Sequence, residues 1–424
     1  MSAGGGHLAF ARLLSSAVIS QALLSAASFV VGLVLIRRTS DVQYGSYILV
    51  ANAMLLAASL QNAFFGPPLA IRMGRLDDAG RSRLVAALYR AQRHVLTVAG
   101  VGLLLAATGL WSGEWLGPHT GPLLLAAVLA AGAILHREYF RMVLLAQRRP
   151  HDVLRADSVY VLLLVAGVFI ATWTPVPAVS AVIALSLAAG ASGFVLSRVL
   201  RGTDDWSQAE APGILREIAP LAAWSTAGAA IHWTFSQGTL YLVAGTLGVT
   251  AVAAIAATRL LLMPVNLLST GIGSLMLPLA SGWLHEHGPA RLLRRLVWFA
   301  LALAGVTLAY FALLWIGRDW VFDVLLKKQF AQRDTLLLLW GALFLVMVVR
   351  DQLVYLLAAQ GRFRVMTSLT LMSALLSLAA SYAAMRPFGV VGALAGMLVG
   401  ELSSVVGIVF MSLRRVQAPV AAPA

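Results

Sequence analysis

The sequence predicts an all-α membrane protein of twelve transmembrane helices arranged in two pseudo-symmetric six-helix lobes. Three observations carry that reading: apolar runs of bilayer length, a two-fold internal echo, and a one-sided distribution of arginine. The 424 residues are 60% hydrophobic and 11% charged, with a mean hydropathy of +0.86. An ordinary soluble domain carries roughly 25% charged residues, so lipid is the natural solvent for this chain. A bilayer core of roughly 30 Å takes about 20 apolar residues per helix. The runs here reach that length and lack alternation, which excludes barrel strands.

The spans follow in order. The first, 14–36, comes after a short, weakly charged start (Met1–His7) without a cleavage site, and reads as a retained helix. Next come 45–66, 94–113, 121–144, 156–173 and 177–198. The fifth and sixth are parted only by Trp173-Thr174-Pro175-Val176-Pro177. A polar stretch from Arg201 to Gly213 then reads as a connector, dividing an N-lobe (1–205) from a C-lobe (217–424) across 206–216. The C-lobe spans are 219–246, 250–274, 296–316, 335–358, 366–385 and 388–412. Pro68, Pro264 and Pro278 interrupt or end spans 2 and 8, which hold matching places in the two lobes. They suit either bent gate elements or simple punctuation.

Short segments recur in order at an offset near half the chain. Phe65-Gly66-Pro67-Pro68-Leu69-Ala70 returns as Leu275-Met276-Leu277-Pro278-Leu279-Ala280, Ala99-Gly100-Val101 as Ala304-Gly305-Val306, and Leu145-Ala146-Gln147-Arg148 as Ala358-Ala359-Gln360-Gly361-Arg362. Six spans per copy is an even number, so both copies share one orientation, related by an axis along the membrane normal. That plan is usual among secondary transporters, whose substrate path lies between the repeats.

Net charge is +14, nearly all from arginine. With the N-terminus placed in the cytoplasm, 22 of the 31 lysines and arginines fall on that side, 7 on the other, and Arg259 and Arg350 within spans. The positive-inside rule thus predicts twelve crossings with both termini cytoplasmic. The link 317–334 is the exception, basic yet on the outer side. Arginines in short links meet anionic lipid headgroups, and no element is left free to read a nucleic acid groove, so nucleic acid is not a partner.

Catalysis finds no support. The chain has no cysteine, its eight histidines form no ligand spacing, and no acid pair stands at metal spacing. No catalytic residue, metal or cofactor is assigned. Attention passes to polar residues inside spans, where a charge costs from about 2.5 kcal/mol upward. Arg259 interrupts an Ala/Leu-rich run, and reads either as a cationic wall for an anionic headgroup or as one half of a buried ion pair. Arginine suits phosphate because its planar fork meets two oxygens at once. His232 and Gln237 lie in a small-and-polar stripe with Ser225, Thr226, Ser236 and Thr239 on span 7, fit for a wet cavity or for tight helix packing. Glu401 sits mid-span, and Asp157 opens span 5 near the cytoplasmic interface. Either carboxylate could couple a proton or sodium ion, or act as counter-ion to Arg259 or Arg350. Arg350 and Asp351 are adjacent on a helix and need not pair.

The stretch Leu35-Ile36-Arg37-Arg38-Thr39-Ser40-Asp41-Val42-Gln43-Tyr44-Gly45-Ser46-Tyr47 resembles the first hairpin of bacterial polysaccharide (O-antigen) flippases, in which an arginine closes span 1 and an acidic residue and a Tyr-Gly pair open span 2. Leu247-Gly248-Val249-Thr250 resembles the matching turn of the second lobe, and the Ala-Gln-Arg and Ala-Gln-Gly-Arg ends of spans 4 and 10 resemble the family too. These lipid-linked oligosaccharide translocases share a superfamily with multidrug extruders and the lipid II flippase. The resemblance implies an inner-membrane protein that exports an undecaprenyl-diphosphate-linked repeat unit by alternating access, without ATP, for surface polysaccharide assembly. Its implied partners are that glycan, membrane lipids, a polysaccharide polymerase and a chain-length regulator. By position, Arg37 and Arg259 stand for the cationic residues of the family's cavity, with Arg350, His232 and Gln237 as further substrate contacts. Intramembrane charge is sparse, and Leu49 takes the place of Arg259 in the first lobe, so no shared arginine is expected. Two other readings stand beside this one: a proton- or sodium-coupled extruder dependent on Glu401 or Asp157, and a membrane glycosyltransferase, which the short outer links disfavour.

Overall fold

The structure, a computed structural model, describes residues 3–73, 76–113, 120–202 and 214–416. Among them no strand occurs. Helices α1 (Ala3–Arg38), α2 (Asp41–Met73), α3 (Asp78–Ser112), α4 (Thr120–Ala146), α5 (Pro150–Ala171) and α6 (Pro177–Arg201) precede α7 (Ile214–Leu247). After it come α8 (Val249–Leu260), α9 (Met263–Ile316), the short α10 (Arg318–Trp320), a π-helical segment (Val321–Leu326), α11 (Arg333–Ala359) and α12 (Phe363–Val416). The chain packs as two compact units, Met1–Ala230 and Ile231–Ala424, divided inside α7. Of the expected connector 206–216, residues 206–213 lie outside the described residues and 214–216 open α7.

Among the described residues, nine helices are long and apolar enough to cross a membrane, or ten when one bent pair is taken as a single span. The long α9 and α12 each join two arms, at Gly288 (φ 75°) and Gly389 (φ 56°). Both angles lie where an L side chain is strained and glycine is not. The two arms of α12 are the expected spans 11 and 12, and α7 is a full-length helix diluted by its polar stripe. With these the twelve expected crossings are accounted for.

Three local expectations change. Span 8 is not one helix: α8 stops at Leu260, Leu261 and Leu262 form a break, and Pro264 starts α9 in a first-turn position where its missing N–H costs nothing. The two pieces meet at 57°. Pro68 does not end span 2, since α2 continues through Pro67 and Pro68 to Met73; the side chain of Pro278 lies outside the described ones. Span 3 begins well before residue 94. Asp77 caps α3, its carboxylate accepting the Gly80 N–H at 2.8 Å. The added turns bury Leu84, Val85, Leu88 and Tyr89 while exposing Arg83, Arg90 and Arg93. Apolar length alone cannot register such an amphipathic extension.

Each unit is built around one helix. In the first, α4 packs on α2, α3, α5 and α6, and α1 packs on α5. Its core joins Leu69, Leu88, Tyr139, Phe140, Leu144 and Leu196. In the second, α11 packs on α8, α9 and α12. The ends of α4 and α11 share one backbone motif. Arg149 N–H bonds Leu144 C=O and Gln147 N–H bonds Val143 C=O; Arg362 N–H bonds Leu357 C=O and Gln360 N–H bonds Leu356 C=O. The left-handed position of this cap is Arg148 (φ 59°) in the first unit and Gly361 (φ 69°) in the second. The Ala-Gln-Arg echo is thus a repeated helix stop.

Candidate functional site

Charged residues within the spans form three groups. In the second unit, Arg259 occupies the last turn of α8, against the break with α9. The C-terminal carbonyls of a helix favour a cation there. The break itself is closed by the Tyr310 hydroxyl, which donates to the Leu261 carbonyl at 2.7 Å. Arg259 Nη1 donates to Gln237 Oε1 of α7 at 2.8 Å, and its guanidinium lies 5.5 Å from the ring centre of Trp340 on α11. Trp340 is in turn fixed by its indole N–H on the Ile255 carbonyl, 3.2 Å away. None of the ion pairs formed by the described residues involves Arg259. Its charge is held in place by a neutral amide and an aromatic face, and is not neutralised.

Further along α11, Arg350 forms an ion-pair knot. Its Nη1 donates to both carboxylate oxygens of Glu401, at 2.8 and 2.6 Å, and Nε and Nη2 donate to Asp351 Oδ1 at 3.1 and 2.7 Å. Phe235 of α7 lies 5.4 Å from the guanidinium. Arg350 and Glu401 are 9% and 6% exposed. These helix neighbours do pair, although their adjacency did not require it. His232 is exposed on α7 within the field of Arg350 and Asp351. Glu401 therefore meets Arg350, not Arg259.

The third cluster fills the first unit. Asp157 on α5 is wholly buried. It accepts from Ser20 of α1, from Arg137 Nη2, and from Arg141 Nε at 3.2 Å. Arg137 also reaches Ser192 of α6 at 3.2 Å and Glu138 at 2.6 Å, and lies over the Tyr160 ring, 4.0 Å from its centre. Two guanidinium groups meet two carboxylates, so this cluster is balanced. Arg37 lies in the same unit but apart from this cluster, exposed in the last turn of α1.

Sequence reasoning missed Arg137 and Arg141 by counting them with the cytoplasmic link and passed over Glu138, although all three fall within 121–144. A signal was available. The Ala-Gln echo at 145–148 and 358–361 extends backwards without a gap, and at the same offset of 213 it sets Arg137-Glu138 against Arg350-Asp351. The two units do share an intramembrane arginine, then, in the central helix of each, and the expectation of none is corrected. Each pairs with its neighbouring acid and with a carboxylate from a later helix, Asp157 or Glu401.

No protein-family model matches the chain, and no curated protein matches it. Solved structures do. An inward-facing multidrug resistance MATE family transporter of the MOP superfamily aligns over 93% of this chain and 94% of its own, with a TM-score of 0.76 and 14% identity. The outward-facing form of such a transporter aligns over 96% and 95%, with a TM-score of 0.66 and 14% identity. A Pyrococcus furiosus MOP superfamily transporter, described by a reverse polarity of its binding pocket that suggests a different function, aligns over the same shares with a TM-score of 0.65 and 13% identity. The chain has the fold of these multi-pass membrane proteins.

Proposed function

We propose that this protein is a flippase that moves an undecaprenyl-diphosphate-linked oligosaccharide between the leaflets of the bacterial inner membrane by alternating access, with both termini in the cytoplasm. The observation that carries the reading is Arg259. Among the described residues, Arg137 and Arg350 are matched by carboxylates, whereas Arg259 is held by Gln237 and Trp340 and keeps its charge. An unmatched guanidinium within a spanning segment calls for an anion, and a diphosphate offers the paired oxygens that its fork meets best. Gln237 orients the fork, leaving its other N–H groups for phosphate oxygens. The sugar repeat would cross in the polar path while the polyprenyl tail stays in lipid. Arg37 and His232, both exposed, are proposed as further contacts for the polar head.

The test is translocation of a labelled lipid-diphosphate oligosaccharide in proteoliposomes. Arg259→Gln should slow it at least ten-fold with the protein still folded, and Arg259→Lys should recover part of the loss. Wild-type rates in Arg259→Gln would overturn the reading.

A second reading has one observation in its favour: the likeness to multidrug transporters of the same fold. A drug extruder driven by protons or sodium would depend on Glu401 or Asp157. Both carboxylates are engaged by arginine here, which supports a structural role for them. Glu401→Gln should leave flipping in place, and abolished transport in that variant would favour the extruder.

A further inference from the structure

The second arm of α9 runs as one helix from the bend at Gly288 to Ile316, and its two sides differ. Leu292, Leu296, Ala300, Leu303 and Thr307 are buried, and Leu292 and Leu296 share a core with Leu356 of α11. On the opposite side Arg291, Arg294, Trp298, Leu301, Gly305 and Leu308 are all exposed. They recur at alternating steps of three and four, which keeps them on one stripe of an unbroken helix. The apolar part of the stripe is open, with Trp298, Leu301 and Leu308 at 68%, 57% and 54% exposed. In a helix long and apolar enough to cross a membrane, such a face meets acyl chains. The stripe begins in cations. Three arginines lie between 291 and 295, and they are presented differently. Arg295 turns back to the first arm, its guanidinium 5.2 Å from the ring centre of Trp283 and its Nη2 3.4 Å from His287 Nε2. Arg291 and Arg294 stay on the stripe, and neither enters an ion pair among the described residues.

From this juxtaposition we propose that Arg291, Arg294 and Trp298 form a binding site for the headgroup of an anionic phospholipid. Trp298 falls in the first turn of the expected span 296–316 and marks the boundary of hydrocarbon and headgroup, where its amphipathic ring is favoured. At 1.5 Å of rise per residue, Arg294 lies about 6 Å beyond it. That is within the headgroup layer, roughly 5–7 Å thick on each side of the bilayer. Arg291 lies about 10 Å beyond Trp298, and its long stem carries the guanidinium back towards the same depth. The two arginines are one helical turn apart, so both planar forks reach one phosphate. The acyl chains of the bound lipid run along Leu301 and Leu308. In the orientation proposed above this is the cytoplasmic leaflet, the one whose surface is anionic.

The chain lacks cysteine, so a single bimane label can be placed on the full protein at Leu301→Cys, or at Leu187→Cys on the exposed face of α6 as a reference. The labelled proteins are reconstituted in mixed phosphatidylcholine and phosphatidylglycerol vesicles, with one lipid or the other brominated on its acyl chains. Quenching then reports which lipid sits beside the label. Phosphatidylglycerol should be preferred several-fold more at 301 than at 187, and rising salt should shrink that preference. Arg291→Gln with Arg294→Gln, both on the exposed face, should lower it to the value at 187. Equal quenching ratios at the two positions, a preference indifferent to salt, or an undiminished preference in the double variant would each overturn the site.

Discussion

A single arginine in lipid is tolerable only by virtue of what surrounds it, and Arg137, Arg259 and Arg350 are handled differently. Arg350 is matched twice, so its two partners are not equivalent. Removing one member of a buried pair typically costs about 3–5 kcal/mol because a charge is stranded. Arg350→Gln strands Glu401 and should fall in that range. Glu401→Gln leaves Asp351 on the guanidinium and should cost less, and the double variant should regain stability over Arg350→Gln alone. Thermal unfolding in detergent checks the order. Arg137 has the same logic on a balanced cluster. Arg259 departs from it, having no stabilising carboxylate to lose: Arg259→Gln should leave the unfolding midpoint close to wild type while slowing transport, which separates a binding role from a structural one.

Among the elements, α12 shows how close packing positions a charge. Gly392, Gly396 and Gly400 on its second arm face Ser377, Ser381 and Ala384 on its first. A Cβ on Gly396 would lie 2.1 Å from the Ser381 backbone nitrogen, and one on Gly400 would lie 2.4 Å from the Ser377 Cβ. The Ser381 hydroxyl donates to the Ala393 carbonyl at 2.9 Å, and Ser403 donates to Ser373 at 3.1 Å. Without these glycines the arms could not close, since small residues are what let membrane helices approach, and Glu401, next to Gly400, would lose its place on Arg350. Gly396→Ala should destabilise by at least the ~1–3 kcal/mol usual for overpacking, whereas Gly305→Ala, with open space at its Cβ, should be neutral. At the repeated helix stop, Arg148→Gly relieves a left-handed arginine and should stabilise by about 0.5–1 kcal/mol. Gly361→Ala should do the reverse, and the same unfolding assay reads both.

For the molecule as a whole, twelve crossings and the arginine distribution predict an orientation with both termini in the cytoplasm. Reporter fusions after residue 416 should be active in the cytoplasm and fusions at 330 on the opposite side; an odd number of crossings would contradict the doubled plan. A lipid diphosphate carries about two negative charges, and each gains roughly 2.3 kcal/mol per 100 mV on moving outward in a cell with a negative interior. Export in proteoliposomes should accelerate when that potential is imposed. A rate indifferent to both potential and ion gradients would remove the proposed driving force.

Composition, span length and the echo between lobes determined the fold class, because apolar length and charge placement are linear properties that a bilayer reads directly. The sequence also marked Arg259, Arg350 and Glu401 in the second unit, since each breaks an apolar run. Their partnerships were left to the tertiary structure. Glu401 reaches Arg350 across 51 positions and Arg137 reaches Asp157 across 20, and no local spacing encodes contacts made by packing separate helices. The break beside Arg259 is the same case: Pro264 hinted at it, but only the Tyr310 hydroxyl on Leu261 and the Trp340 face show how the opened backbone is closed and an uncompensated charge is held there. Helix packing, which decides who neutralises whom, turned a set of candidate arginines into two ion-paired knots and one guanidinium held by an amide and an aromatic face.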